Sequence, residues 1–557
     1  MKVKEKIIFL SILVLAGFLR FWQLGQTPPS PNWDEVSLGY NALSLYETGR
    51  DEYGQFLPLI LRSYDDYKPA LYTYLAVPAV QLFGLSAFAV RFPAALLGTL
   101  TVFFTFFLVK ELFSSAEQKP SFIIHNSLSI PLLSSFLLAI SPWHLQFSRV
   151  AFESNIGVFV NILVVLFFLK GLKRPLLLPL CAFLAGLNLY VYQAEKIFTP
   201  LLVLSLLLIY RRRLLAVKRS YLIASVAVGL LLTIPLIRLA LTTPEIFLRA
   251  KGTSVAADQT PFLSKSAARL SRDSLSADYF GLVFDNRRFT YITALAGGYL
   301  SHFDFNWLFV NGDEARHHAP GMGLLYLWEL PFLLIGIYQL VFSTLPRQSK
   351  LLVTAWLLIA PIPASFSSGA PHAVRTLRWL PLLPLLVAFG LVAAWPFFRR
   401  LSKPVRLTLA GLAALFFCFN SFYFLNQYFV QQNKLNSQVW QYGYEQAVAE
   451  VRTVENRYDR VIVSNQPHLD QSYMFFLFFL RYPPDRYQSS GGTVSGGFAE
   501  EHKGFGKYTF RPLKWDEEEK NGRTLFVGRP QDFPPEAKTL KTIYFLDGQP
   551  AVRLVEG

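Results

Sequence analysis

Repeated apolar runs constrain this chain more than any other feature of its sequence. Each run is long enough to approach or cross the roughly 30 Å hydrocarbon core of a bilayer. They lie at residues 7–22, 88–109, 122–141, 156–169, 175–190, 196–210, 220–240, 322–342, 351–366, 376–397 and 405–427. Charged residues make up only 16% of the chain, whereas soluble proteins carry roughly a quarter. The sequence therefore predicts a polytopic α-helical membrane protein with about 11 transmembrane helices.

Basic residues between the runs indicate how the chain crosses the membrane. Three lysines precede the first run and three prolines follow it, which favours an uncleaved first span entered from the cytoplasm over a cleaved signal peptide. Threading the runs from that start places most basic clusters inside, as the positive-inside rule requires. Three larger polar pieces then lie outside: residues 23–87, residues 241–320 and everything after about 430. We expect a multi-pass protein of the plasma (inner) membrane with its active site on the extracytoplasmic side.

Charge and cysteine content exclude two other classes of protein. The net charge of +16 would suit nucleic acid, but much of it lies in short clusters between apolar runs, so we expect no nucleic-acid partner. The only two cysteines, Cys181 and Cys418, lie within apolar runs. Structural disulfides and cysteine metal sites are therefore not expected.

The first outer piece carries the most suggestive polar residues. Asp34 and Glu35 follow Trp33 just beyond the first apolar run, and such acids are either solvated loop residues or working carboxylates. Further on, Lys68-Pro69 leads into the short apolar stretch 71–83, which Pro78 interrupts. That stretch predicts a helix lying in the membrane interface, at the depth of a lipid phosphate.

The last piece changes character. Residues 441–455 have helical spacing, and residues 460–464, 524–528 and 541–545 have the composition of strands. Asp547-Gly548 is a strong hairpin-turn signal. The sequence predicts a small extracytoplasmic α/β domain at 431–557.

Several short motifs, in this order and on one side of the membrane, resemble a known family. They are the acidic pair Asp34-Glu35, Lys68-Pro69, and the segments 91–98, 312–321, 325–331 and 371–375. The pattern resembles the GT-C fold membrane glycosyltransferases, in particular the bacterial family 39, protein O-mannosyltransferase-like branch that is related to the lipid A aminoarabinose transferase. The resemblance implies a GT-C transmembrane domain over residues 1–430, with outer loops at 23–87 and 241–320.

The resemblance also implies a reaction. It is the inverting transfer of one sugar from a polyprenyl-phosphate donor to a protein, lipid or cell-envelope glycan on the outer face of the membrane. The acceptor hydroxyl must lose a proton during attack, so a carboxylate is expected to act as general base. Asp34 is the candidate base, and Glu35 is expected to orient it or the acceptor.

The leaving lipid phosphate needs cationic partners. Lys68 matches the basic residue that precedes proline in the family, and Arg375 and His372 are the next candidates. Arg62 and Arg91 are weaker candidates for the same phosphate, and Tyr67, His317 and His318 are candidate substrate contacts. Two of these groups have a plainer interpretation. Arg375 and Arg378 suit interfacial snorkelling, and His317-His318 suits a hydrogen-bonded loop pair better than metal ligands, because no third ligand has recognisable spacing. No metal or other cofactor is expected.

Some features separate the chain from parts of the family and leave other functions open. The Trp-Trp-Asp signature of oligosaccharyltransferases is absent, and the 241–320 loop is too short for the β-trefoil insertion of eukaryotic protein O-mannosyltransferases. The identities of the sugar and of the acceptor stay open. A transporter or flippase of lipid-linked glycans is the alternative from another class, and a scaffold for envelope synthesis is a third.

Overall fold

The computed structural model describes residues 2–64, 66–113, 129–243, 252–255, 257–258, 260–494 and 502–557. Helices dominate its first three quarters. Up to residue 300 they are α1 (Val3–Phe21), α2 (Trp33–Thr48), α3 (Leu71–Phe83), α4 (Ala87–Phe113), α5 (Ser129–Ile140), α6 (Pro142–Ser148), α7 (Glu153–Gly171), α8 (Leu177–Asn188), α9 (Glu195–Ile209), α10 (Arg211–Leu215), α11 (Arg219–Thr242), α12 (Thr260–Leu275), α13 (Tyr279–Phe284) and α14 (Arg287–Leu300).

A second series of helices leads into the C-terminal part. It comprises α15 (Glu329–Phe342), α16 (Arg347–Ile359), α17 (Ile362–Ser365), α18 (Ala373–Thr376), α19 (Leu382–Arg400), α20 (Lys403–Asn426), α21 (Gln432–Leu435), α22 (Tyr444–Val454), α23 (Ser472–Leu480) and α24 (Pro484–Ser489).

Membrane-spanning character is concentrated in a subset of these helices. Among the described residues, five stretches are long and apolar enough to cross a bilayer, or six if the bent pair α5–α6 is one span. The five are Ala87–Phe113, Glu153–Gly171, Arg219–Thr242, Leu382–Arg400 and Lys403–Leu435. The chain is thus a polytopic helical membrane protein, as predicted, but the expected count of eleven spans is not confirmed.

Shorter or more polar helices account for the difference in count. Every predicted run overlaps a helix, although residues 122–128 of the third run lie outside the described residues. Helices α8 and α15 are apolar but have only 12 and 14 residues. Helix α1 carries charged residues in its first and last turns. In contrast, α11 buries none of its residues within the protein, which suits a helix that faces lipid.

The first outer piece forms a compact unit between α1 and α4. It consists of α2, a two-stranded antiparallel sheet of β1 (Ile60–Ser63) and β2 (Asp66–Pro69), and α3. The bounds of α3 coincide with the predicted interfacial helix, residues 71–83. Leu61 lies opposite Lys68 in the sheet, and Arg62 lies opposite Tyr67.

The C-terminal part is the predicted α/β structure. Its six-stranded sheet has the order β4-β5-β3-β6-β8-β7. The strands are β3 (Arg460–Val463), β4 (His502–Phe505), β5 (Tyr508–Phe510), β6 (Thr524–Gly528), β7 (Thr539–Tyr544) and β8 (Pro550–Glu556). The predicted turn at Asp547-Gly548 joins β7 to β8, and Gly548 has a φ of 89°, which glycine adopts without strain.

One buried helix joins the C-terminal part to the first outer piece. Helix α23 buries seven consecutive residues, Ser472 to Phe478. It packs against α22 and also against α2, and the Phe478 ring fills the space beside Gly39 of α2. The apolar stretch at 474–480 is therefore a core element that holds the sheet against the helix on which Asp34 lies.

Candidate active site

The start of α2 separates the two adjacent acids. Asn32 caps the helix, because its side-chain Oδ1 accepts from the backbone amide of Glu35 at 3.1 Å. In return, the backbone amide of Asn32 donates to Glu35 Oε2 at 3.1 Å. This reciprocal capping box fixes Trp33 as the first helical residue. Because consecutive helical residues point about 100° apart, Asp34 and Glu35 leave the helix in different directions.

Glu35 points into the protein and is held by Arg91. The two side chains are 1% and 0% exposed and form a bidentate pair, with Nε–Oε1 at 2.8 Å and Nη2–Oε2 at 3.0 Å. The remaining N–H groups of Arg91 donate to the carbonyls of Leu24, Pro28 and Ser30. All five guanidinium donors are thereby used. We therefore remove Arg91 from the residues proposed to bind phosphate, and we assign Glu35 to support of the site rather than to contact with the acceptor.

Asp34 points the other way, towards Lys68. Its side chain is 29% exposed and pairs with Lys68 Nζ, whose side chain is 7% exposed. Lys68 lies on strand β2. The ring of Tyr64 lies beneath its ammonium group, with the ring centroid 5.7 Å from Nζ. The Tyr64 hydroxyl donates to the carbonyl of Trp33 at 2.6 Å. The turn after β1 and the start of α2 therefore hold the ion pair in place together.

Two residues that the sequence did not single out complete the surroundings of Trp33. The guanidinium carbon of Arg316 lies 4.3 Å from the centre of the Trp33 ring. Gln441 Oε1 accepts from the Trp33 amide at 2.9 Å. The loop before α15 and the segment before α22 thus both reach the residue next to Asp34, and neither approach has a local sequence signal.

A second polar cluster lies beside Arg316. Asp313 Oδ2 accepts from His317 Nδ1 at 2.9 Å and from the amide of Ala373 at 2.6 Å. The His317 and His372 rings are 5.1 Å apart between centres. One ligand atom from each of Asp313, His317 and His372 lies within 4.8 Å of the others. Sequence reasoning missed this group because His372 comes from a different loop.

The ionic states within this cluster follow from its surroundings. Burial raises the pKa of Asp313, but the hydrogen bond and charge of His317 outweigh it, so the net effect is a lowered pKa and an ionised carboxylate. Burial, with Arg375 and His317 nearby, lowers the pKa of His372 to about 2. His372 is therefore neutral at physiological pH.

Most of the other predicted site residues contact partners outside the Asp34–Lys68 pair. The Arg375 side chain is half-buried and makes no hydrogen bond or ion pair with any residue in the described ranges. The Tyr67 carbonyl accepts from Gln193 Nε2 at 2.8 Å, and Arg62 stacks over Tyr53 at 4.6 Å. Both ring nitrogens of His318 contact backbone carbonyls. His318 thus suits the predicted loop pair, whereas His317 belongs to the cluster with Asp313.

A further cation, Lys196, adjoins Lys68 through Gln193. Lys196 Nζ donates to Gln193 Oε1 at 2.7 Å, and Gln193 binds the carbonyl of the residue before Lys68. One turn further along α9, Thr199 lines an apolar cavity of about 390 Å³ between α8, α9 and α11. Leu189 and Thr233 also line this cavity.

Comparison with solved structures identifies the fold. ArnT from Cupriavidus metallidurans is similar over 99% of this chain and 97% of its own in the apo state, with a TM-score of 0.53 and 14% identity. The complex of the same enzyme with undecaprenyl phosphate has a TM-score of 0.54. The similarity covers 100% of this chain and 98% of ArnT, also at 14% identity. A third similar structure is the archaeal oligosaccharyltransferase AglB from Archaeoglobus fulgidus, in complex with an inhibitory peptide and a dolichol-phosphate. Its TM-score is 0.50, and the similarity covers 86% of this chain and 64% of AglB at 14% identity.

Both neighbours are GT-C fold enzymes, and ArnT is a lipid A aminoarabinose transferase. The predicted GT-C fold is therefore confirmed. No protein-family model matches the sequence, and no curated protein sequence matches it significantly.

Proposed function

We propose that this GT-C chain is a glycosyltransferase that moves a sugar from a polyprenyl-phosphate donor to an acceptor hydroxyl. The proposal rests on the fold and on the pairing of a partly exposed acid, Asp34, with a mostly buried lysine, Lys68. It gains support from the ligands of the structural neighbours, undecaprenyl phosphate in ArnT and dolichol-phosphate in AglB. The Asp34–Lys68 pair is the observation that carries it.

Asp34 is proposed as the general base. The acceptor oxygen attacks the anomeric carbon while its proton passes to the carboxylate, and the bond from that carbon to the phosphate oxygen breaks. A single displacement of this kind inverts the anomeric configuration. A positioned base contributes roughly 10²- to 10⁴-fold to such a step. The buried Glu35–Arg91 pair fixes the turn on which Asp34 lies.

Lys68 is proposed to take the charge of the leaving phosphate. In the structure its ammonium is neutralised by Asp34, so an arriving phosphate competes with the carboxylate for the same cation. When the phosphate binds Lys68, the carboxylate gives up this ion pair and can accept the acceptor proton. Binding of the donor phosphate would thus release Asp34 from Lys68 and let it act as the base. Arg375 is proposed as an additional phosphate ligand.

The apolar cavity is proposed to receive the first isoprene units of the donor lipid. Its lining runs along α8, α9 and α11, and α11 faces the bilayer. Lys196 and Thr199 lie one turn apart on α9, so the cavity begins close to the Lys196–Gln193–Tyr67 contacts. A phosphate beside Lys68 and a tail in this cavity are therefore compatible.

The positive-inside pattern of basic residues supports a site on the outer face of the membrane. The contact between Gln441 and Trp33 supports a role for the C-terminal domain in binding the acceptor. Monosaccharide transfer is proposed because the oligosaccharyltransferase signature is absent from the sequence.

The test is a transfer assay with the full chain reconstituted in lipid vesicles. Radiolabelled polyprenyl-phosphate monosaccharides are supplied with membrane extract, and the label is followed into acceptors. We expect label in an extractable product, with release of polyprenyl phosphate. Movement of intact donor across the bilayer without a covalent product would contradict the proposal and support the flippase alternative.

A further inference from the structure

The cluster of Asp313, His317 and His372 brings three ligand groups together, with one ligand atom of each within 4.8 Å of the others. Asp313 Oδ2 and His317 Nδ1 lie 2.9 Å apart and share a proton, so an ion bound to both would take the place of that proton. His372 Nδ1 is buried and has no partner among the described residues.

Hydrogen bonding within the protein does not explain this arrangement. His302 also lies beside His372, but its Nε2 accepts from the His372 backbone amide at 3.2 Å and its Nδ1 contacts the Gly298 carbonyl at 2.7 Å. Buried polar atoms in native proteins nearly always have a partner. The His372 ring is thus held beside a carboxylate and a second imidazole with its Nδ1 unsatisfied.

We propose that Asp313, His317 and His372 bind one divalent transition-metal ion, with Zn²⁺ preferred. Two imidazoles and one carboxylate are a ligand set that Zn²⁺ takes when a fourth position stays open to water or to a ligand oxygen. The ligands must be deprotonated for binding, so the ion would displace the proton that Asp313 and His317 share. A modest closure of the three ligand atoms from their present separation would complete the coordination.

The ion would join two loops, one of which reaches the candidate active site. Asp313 and His317 flank Arg316, which stacks on Trp33. His372 lies three residues before Arg375. One ion would therefore fix the loop of Arg316 against the loop that carries Arg375. Metal binding is independent of the transferase proposal, and only this positioning role depends on it.

Metal titration of the purified full chain tests the proposal. The protein in detergent is stripped with a chelator, and Zn²⁺ is added in competition with a chromophoric indicator. We expect one high-affinity site per chain, and His372→Ala is expected to weaken it by about 100-fold or more. Co²⁺ in place of Zn²⁺ should give visible d–d absorption typical of nitrogen and oxygen ligands.

A neighbouring histidine provides the control. His318 lies next to His317 but directs both ring nitrogens to backbone carbonyls, so His318→Ala should keep the site. Asp313→Asn is a second ligand variant in case His372→Ala does not fold, and size-exclusion chromatography reports folding for each.

Three results would overturn the proposal: folded wild-type protein that binds neither ion, ligand variants that bind as wild type does, or loss of the site in His318→Ala alone. Stoichiometric metal in a protein without transfer activity would uphold the metal site while removing the transferase assignment.

Discussion

The tripeptide Trp-Asp-Glu occurs twice in this chain, at 33–35 and at 515–517, and its two copies behave differently. The first copy opens the 16-residue helix α2, buries its glutamate on Arg91 and pairs its aspartate with Lys68. The second forms a single 3₁₀ turn, and Glu517 is 70% exposed beside Lys514. Identical residues thus form a candidate site in one place and solvated surface in the other.

The difference lies in what the rest of the chain brings to each copy. Four distant segments converge on the first, through Lys68, Arg91, Arg316 and Gln441. In the second copy Trp515 packs against Phe526 and Phe533 at 5.4 and 5.3 Å, with Lys520 over its ring at 5.1 Å. The exposed Glu517 pairs with the nearby Lys514. The second copy therefore supplies a matched control for each substitution in the first.

The largest effect is expected for the two aspartates. Asp34→Asn removes the proposed base and should lower the transfer rate by roughly 10²- to 10⁴-fold. Asp516→Asn makes the same change on an exposed turn and should leave the rate unchanged. Steady-state transfer assays on both variants measure the contrast. Equal rates for Asp34→Asn and wild type would remove Asp34 from the mechanism.

The two glutamates should differ in stability. Glu35→Gln leaves the buried Arg91 without a counter-charge, and breaking such a pair costs about 3 kcal/mol or more. Glu517→Gln affects a solvent-exposed pair, where changes stay within about 0.5 kcal/mol. Thermal unfolding in detergent compares the two variants. Unfolding of Glu35→Gln at the wild-type temperature would show that this carboxylate is not structural.

The two lysines test the phosphate site. Lys68→Ala should raise the KM for the donor by about 10- to 100-fold, because a charge-assisted hydrogen bond contributes about 1.5–3 kcal/mol. Lys514→Ala, the matched change beside the second copy, should not alter it. Donor titrations at fixed acceptor measure both constants. An unchanged donor KM in Lys68→Ala would assign the phosphate to other cations.

Local patterns predicted the elements of this fold well. The helix at 71–83, the strands near 460, 524 and 541 and the turn at Asp547-Gly548 each depend on neighbouring residues, and each is present. The count of eleven spans was less secure, since short helices packed inside a bundle have the same apolar composition as spans.

Contacts between distant loops account for what the sequence did not reveal about the site. Asp34 and Lys68 were proposed from a motif, but nothing near Glu35 indicated that Arg91 would use all five of its donors there. Similarly, His317 and His372 are adjacent only because two loops meet. Such partners are set by the packing of the whole bundle, which residue spacing does not encode.

Substitution of Glu52 is expected to have the smallest effect on stability. This residue shows how the surroundings alone change the pKa of an acid. Glu52 is buried between α2 and the C-terminal part. It accepts hydrogen bonds from Asn41 at 3.2 Å, Tyr473 at 3.2 Å and Thr493 at 2.8 Å. Burial raises its pKa from 4.5 to about 7 against the opposing effect of these bonds.

A raised pKa makes stability fall as the pH rises. Between pH 4.5 and about 7 the unfolded chain releases a proton that the folded protein keeps, so this contribution is complete below pH 4.5 and lost above about 7. We expect wild type to lose about 1 kcal/mol of unfolding free energy between pH 6 and 8 relative to Glu52→Gln. Thermal unfolding across that pH range measures the difference, with Glu517→Gln as the variant that should retain the wild-type profile. Parallel pH profiles for wild type and Glu52→Gln would mean that Glu52 is already ionised in the folded protein, and that burial beside α23 does not set its charge.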